Sequence, residues 1–222
     1  MIRMVVFDIA GTTVDENNVV YKTLRKVVNE AGFTFTLEQV LEKGAGKEKR
    51  AAIQDIIAIE KSTTDVNLID RIYLNFINEL SAAYTNLDIK PQIGAEDLFK
   101  ELRKKNILVV LNTGYNKTTA NFILQKLHWQ IGQHIDALIT ASDVLNNRPK
   151  ADMILLAMKK FGITNAAEVA KVGDSTIDIE EGKNAGCSLS IGITTGAHTY
   201  QQLMTENPNY IIHNLLDLLP LL

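Results

Sequence analysis

The sequence predicts an α/β fold: an open, mostly parallel, Rossmann-like sheet with a small all-helical domain inserted after the first strand. Two observations predict the sheet. Short β-branched apolar runs recur along the chain with amphipathic stretches between them, the alternation that builds a parallel sheet with helices on both faces. The runs are also almost continuously apolar, as strands covered on both faces are. A third observation predicts the insertion. From about Glu16 to Asp88 no strong strand pattern occurs, and apolar residues recur at helical spacing.

In order, strands are expected at 4–7, 107–111, 137–140, 169–172, 189–193 and 210–212, with helices at 95–105, 118–127 and 151–161. Within the insertion, Tyr21, Leu24, Val27, Val28 and Ala31 mark one helical face. Ile53, Ile56 and Ile57 mark a second, and Ile69, Ile72, Leu74, Phe76 and Ile77 a third. The expected organisation is a core domain from 1–15 and 89–222 and a helical cap from 16–88, with hinges at Asn17-Asn18 and near Pro91. The leucine-rich stretch after Asn214 reads as a docking helix.

The chain has 222 residues, 46% of them hydrophobic and 22% charged, ordinary for a globular protein that buries a core. A net charge of −3 lacks the concentrated basic character of a nucleic-acid binder. No apolar run approaches membrane-spanning length, and no signal-peptide core follows Arg3. The single cysteine, Cys187, excludes an intrachain disulfide and suits a reducing compartment. A cytoplasmic protein without nucleic-acid or membrane partners is expected.

Ligands in such sheets bind beyond the carboxyl ends of the strands. The residues there are Asp8-Ile9-Ala10-Gly11-Thr12, then Asn112-Thr113-Gly114-Tyr115, then Arg148-Pro149-Lys150, then Gly173-Asp174-Ser175-Thr176-Ile177-Asp178. Singly, each suits a turn or a helix cap. Together they offer a nucleophile, anion donors, a cation and a D-x-x-x-D pair at one sheet edge.

In this order the four motifs resemble the haloacid dehalogenase superfamily, over essentially the whole chain, and the insertion sits where that family carries its helical C1-type cap. The resemblance implies that Asp8 is a nucleophile forming an aspartyl-phosphate. It implies Mg2+ held by Asp8, the Ala10 carbonyl and Asp174, with Asp178 binding or orienting. Thr113 and Gly114 would donate to the phosphoryl group, and Arg148 would stabilise its charge. The substrate class is a small phosphonate or phosphorylated metabolite, and the cap of this family can also serve in a homodimer.

One departure narrows the chemistry. Phosphatases of the superfamily carry a second acid two residues after the nucleophile, where this chain has Ala10, so the usual proton donor to a leaving alcohol is missing. The D-x-A-G-T form, Arg148-Pro149 and Thr113-Gly114-Tyr115 resemble the phosphonoacetaldehyde hydrolases, in which a cap lysine forms a Schiff base. Ala45-Gly46-Lys47-Glu48-Lys49 matches their M-G-x-x-K stretch with one change, which makes Lys49 the expected imine-forming amine, disfavoured as ammonium by a helix N-terminus and a metal. The alternative for Lys49 is a solvated basic face with Lys43, Lys47 and Arg50. The family's histidine three residues after the lysine is Ala52 here. Competing readings are a phosphate-monoester phosphatase or phosphomutase, a metal-independent dehalogenase and a non-catalytic binding protein. His128, His134, His198 and His213 read as surface or capping residues, Trp129 as packing beside the sheet, and Cys187 as a buried small apolar residue.

Overall fold

The computed structural model describes residues 1–60 and 65–222. Residues 61–64, inside the interval expected to form the cap, lie outside the described residues. The main sheet has six parallel strands in the order β5-β4-β1-β6-β7-β8. They are β1 (Met4–Phe7), β4 (Leu108–Thr113), β5 (Ala137–Thr140), β6 (Val169–Gly173), β7 (Leu189–Ile193) and β8 (Tyr210–Ile212). β1 is fully buried at the centre, with Met4 opposite Leu108 on one side and Val169 on the other. The chain leaves β1 for β4 on one flank and later crosses to β6 on the other. Asp8, one residue past β1, therefore lies at the point where the strand order reverses, the crevice in which such sheets bind ligands.

Every expected strand of the sheet is present, but two run further than expected. β4 continues through Asn112 and Thr113, and β6 through Gly173. Polar residues follow the apolar runs at both places, yet the ladder continues: Asn112 pairs with Ile139 and Gly173 with Gly192. Helices α5 (Ala95–Lys104), α6 (Lys117–Lys126), α7 (Asp152–Lys160), α8 (Thr176–Asn184) and α9 (Tyr200–Met204) connect the strands. Trp129 packs edge-on against Phe99 of α5 and donates its indole N–H to Glu96 at 2.9 Å. The C-terminal stretch is a 3-10 helix, Leu215–Leu221, rather than an α-helix; it includes Pro220, and Leu215 and Leu218 are buried.

A two-residue antiparallel ribbon joins β2 (Val14–Asp15) to β3 (Lys90–Pro91). Between them in the chain lie α1 (Val19–Glu30), α2 (Leu37–Gly44), α3 (Lys49–Ile57) and α4 (Val66–Asn86). Their apolar faces meet in a core that includes Leu24, Val28, Ile53, Ile56, Ile72 and Phe76. Leu74 departs from expectation and is 64% exposed, because it sits two positions from Ile72 and faces the other side of the helix. α2 carries a capping box: Thr36 accepts from the Gln39 N–H at 3.2 Å, and the Gln39 side chain accepts from the Thr36 N–H at 2.8 Å, an arrangement worth about 1 kcal/mol. Asn17 and Asn18 both have left-handed backbone, φ 54° and 53°, a region asparagine tolerates better than most residues.

Candidate active site

Three strand ends build the core side of the site. The Asp8 N–H donates to the Val172 carbonyl at 3.0 Å, tying the turn after β1 to β6. After β6, the Ser175 hydroxyl donates to Asp178 Oδ2 at 2.6 Å in the capping box that opens α8. At the end of β4, the Thr113 hydroxyl accepts from the Tyr115 N–H at 3.1 Å, which leaves its own proton free to donate. The expected site residues Asp8, Ala10, Gly46, Lys49, Thr113, Gly114, Tyr115 and Arg148 line one narrow pocket, together with Tyr21. A wider groove against the β5 edge, between Lys117 and Lys160, contains none of them.

Asp8, Asp174 and Asp178 are buried, and each offers a carboxylate oxygen within 4.8 Å of the others. Burial raises the pKa of Asp8, an effect opposed by Arg148 and reinforced by Asp178. Burial also pushes Asp174 well above the usual carboxylate range, helped by repulsion from Asp8 and Asp178. Asp178 is lowered despite its burial, because Arg148 and Lys171 flank it. Asp174 accepts from Thr12 and from the Ala197 N–H, but among the described residues it has no basic partner. Four buried carboxylates (these three and Glu181) face two buried cations, Arg148 and Lys171. Hard oxygen donors of this kind suit Mg2+. The donor set fits the metal that the sequence resemblance implied.

Arg148 is the hub of this centre. It donates to Asp8 Oδ1 at 2.6 Å and to the Asn112 carbonyl at 2.8 Å, and it lies 3.0 Å from both Asp178 and Glu181. Burial alone would lower its pKa, but Asp178, Glu181 and Asp8 together hold it raised, so it stays charged. Lys150, two residues further along, is exposed. Two contributors went unrecognised in the sequence. Lys171, fully buried within β6, reaches Asn112 Oδ1 at 2.7 Å and Asp178 Oδ1 at 2.9 Å, and Glu181 accepts from Asn112 at 2.9 Å. A lysine inside an otherwise apolar strand was the available signal for the first.

The helical insertion supplies the opposite wall. Lys49 is the first residue of α3, is 5% exposed, and donates to the Lys47 carbonyl at 2.7 Å. Its ammonium lies 5.3 Å from the centre of the Tyr115 ring and 5.7 Å from that of Tyr21. Its neighbours form the solvated face instead: Lys47 pairs with Asp55, Arg50 with Asp70, and Lys43 with Glu42. Burial is the main cause that lowers the Lys49 pKa, to about 8, against the attraction of Asp8 and Glu48. Desolvation thus does what the helix terminus was expected to do. Gly46 has φ +73°, and a Cβ on it would collide with Ser175; a Cβ on Gly114 would collide with the Lys47 carbonyl. These two glycines let the insertion close against the core.

His198 is buried and acts as a cap: its Nδ1 accepts from the Thr176 N–H at 3.1 Å, and its Nε2 lies 3.2 Å from the Leu41 carbonyl. Cys187 is half-buried rather than fully buried, and burial pushes its thiol up to about 12.

A family model described as haloacid dehalogenase-like hydrolase matches residues 5–191. The chain belongs to the haloacid dehalogenase-like hydrolases. This hydrolase is 26% identical to the phosphonoacetaldehyde hydrolase of Latilactobacillus sakei, over 98% of this chain and 93% of that one. It is 25% identical to a Dickeya dadantii protein named Probable phosphatase IndB, over 94% and 88%. Among solved structures, a phosphonoacetaldehyde hydrolase-like protein from Oleispira antarctica superposes with a TM-score of 0.86 at 20% identity, covering 99% of this chain and 91% of that one. No described helix of the hydrolase is long and apolar enough to cross a membrane.

Proposed function

We propose that this hydrolase cleaves the carbon–phosphorus bond of a small carbonyl phosphonate, with Asp8 as phosphoryl acceptor and Lys49 as the amine that forms an imine. The observation that carries the reading is a buried lysine of lowered pKa in the same pocket as Asp8, where position 10 has no acid. Mg2+ held by Asp8, the Ala10 carbonyl, Asp174 and Asp178 would neutralise charge between nucleophile and phosphoryl group.

The neutral Lys49 amine attacks the substrate carbonyl, and uptake of one proton with loss of water leaves a protonated imine. The Asp8 carboxylate then attacks phosphorus, and the C–P bonding pair moves onto carbon to give an enamine. That leaving group needs no proton on oxygen, so Ala10 is no handicap. Arg148 stays charged beside Asp8, while Thr113 and the Gly114 N–H donate to the phosphoryl oxygens. Water finally cleaves the aspartyl-phosphate to phosphate, and a second water with a proton returns Lys49 and the aldehyde. In this reading residues 16–88 act as a cap that opens to admit substrate.

A second reading, hydrolysis of a small phosphate monoester, is favoured by the likeness to the phosphatase-named relative. A turnover screen with Mg2+ across carbonyl phosphonates and phosphate esters separates the two. Phosphonate turnover that disappears in Lys49→Ala supports the first, whereas ester turnover indifferent to Lys49→Ala supports the second.

A further inference from the structure

Resting on the imine reading above, we propose that Glu16 is the proton-transfer group of this pocket, exchanging protons with Lys49 through the Tyr84 and Tyr115 hydroxyls. Glu16 directly follows β2, where the chain enters the helical insertion, and is only 3% exposed. Its Oε2 accepts from the Val20 N–H at 3.0 Å and from the Tyr84 hydroxyl at 3.2 Å. The Tyr84 hydroxyl lies 2.7 Å from that of Tyr115, which lines the pocket beside Lys49. A hydrogen-bonded chain therefore runs from a buried carboxyl to the pocket wall, with one member each from the β2 exit, α4 and the loop after β4.

Capping α1 explains the Val20 contact but not the two tyrosines. Ionising a buried carboxyl without a charged partner is costly, and a neutral leucine or glutamine would serve the packing. Glu16 faces Lys49, Tyr84, Tyr21 and Tyr115, and Lys49 in turn faces Asp8, Glu48 and Arg148. Burial raises Glu16 to about 7, while Lys49 is lowered to about 8. Proton exchange between two groups so nearly matched is close to balanced. Both relay tyrosines are pushed well above 10 by burial, so they pass protons by concerted exchange rather than by ionising.

The chemistry needs such a group twice. The Lys49 ammonium must give up a proton before its nitrogen pair can bond to the carbonyl carbon, whose π pair moves to oxygen. The alkoxide so formed takes a proton from the adduct's own nitrogen, and the resulting carbinolamine must then receive a proton on its hydroxyl, so that water leaves as the nitrogen pair forms the C=N bond. Glu16 as carboxylate takes the first proton and as carboxylic acid returns it, so the cycle needs no external acid. Among the described residues, the only carboxylate lining the pocket itself, Asp8, is reserved for phosphorus.

The test is the rate of borohydride trapping on Lys49 with phosphonoacetaldehyde, followed by peptide mass from pH 5 to pH 9. The effect expected of a purely electrostatic Glu16 has the opposite sign. Glu16 raises the pKa of Lys49, so Glu16→Gln would then shift the profile toward acid and leave its plateau intact. A proton carrier instead loses plateau height, at least tenfold, at every pH. Glutamine keeps an oxygen for the Val20 N–H, and Tyr84→Phe, which keeps the ring and leaves Glu16 in place, shows the same loss. An undiminished plateau in either variant overturns the proposal while leaving the imine intact. A wild type that forms no Lys49 adduct overturns the imine reading and this inference with it.

Discussion

The Arg148 guanidinium donates to Asp8 Oδ1 at 2.6 Å, with both side chains buried. The same guanidinium contacts Asn112, Asp178 and Glu181, so its planar fork holds Asp8 at a fixed place relative to the other acids. Lysine keeps the charge but cannot reproduce the fork. Arg148→Lys is expected to lower kcat by about 100-fold, in the range for losing a preorganised transition-state donor, with a smaller change in KM. Steady-state kinetics on any turned-over substrate checks this.

Asp174 has a folded pKa raised well above 3.8 by burial and by its acidic neighbours. A carboxyl raised in this way favours folding at low pH, and that contribution is lost as pH rises from the unfolded value through the folded one. The metal-free protein should therefore lose stability as pH climbs above about 4, and Mg2+ should restore it by mass action. Asp174→Asn should melt higher than the wild type without metal at pH 7 and show no shift on adding Mg2+. Thermal melts with and without the ion measure both effects.

Lys49 titrates at about 8 rather than 10.5. At pH 7 about a tenth of it is then free amine, against fewer than about one in a thousand for an ordinary lysine. Selective acylation or imine trapping at Lys49 should rise with pH and level off just above pH 8, while other lysines keep rising. For stability, a depressed lysine penalises the fold increasingly as pH falls from 10.5 toward 8. Lys49→Met should consequently be more stable than wild type at pH 7, by up to roughly 3 kcal/mol, in urea unfolding.

Lys171 offsets Asp178 and Glu181 in a fully buried setting. Replacing it with methionine keeps the length of the side chain but leaves Asp178 and Glu181 sharing the charge of Arg148, which also serves Asp8. The expected loss is about 3–5 kcal/mol of stability. Lys171→Met combined with Glu181→Gln should recover part of it, because one uncompensated charge is removed. Denaturant midpoints of the two variants give the comparison.

Much of the sheet and the acid cluster was legible because the physics there is local. An apolar run followed by Asp8, or by Gly173-Asp174, announces a strand end and its polar crevice in consecutive residues. Lys171 stands out as a charge inside the apolar run that identifies β6, but its role was illegible, because only the fold brings Asp178, Glu181 and Asn112 around it. Glu16 and Tyr84 are 68 positions apart, and Tyr84 looks like one more residue on a helical face. The β2–β3 ribbon is two residues long on each side, too short to leave any periodic pattern. Lys49 fell between these cases: its motif was visible, but its burial was not, because its basic neighbours suggest a solvated surface.

Phosphate release from phosphonoacetaldehyde in the presence of Mg2+, measured side by side for wild type, Asp8→Asn and Lys49→Ala, tests carbon–phosphorus cleavage by these two residues most directly. Release by the wild type, with both variants at least 100-fold slower, is the predicted result. No release from the phosphonate, together with equal hydrolysis of a phosphate ester by wild type and Lys49→Ala, would contradict it.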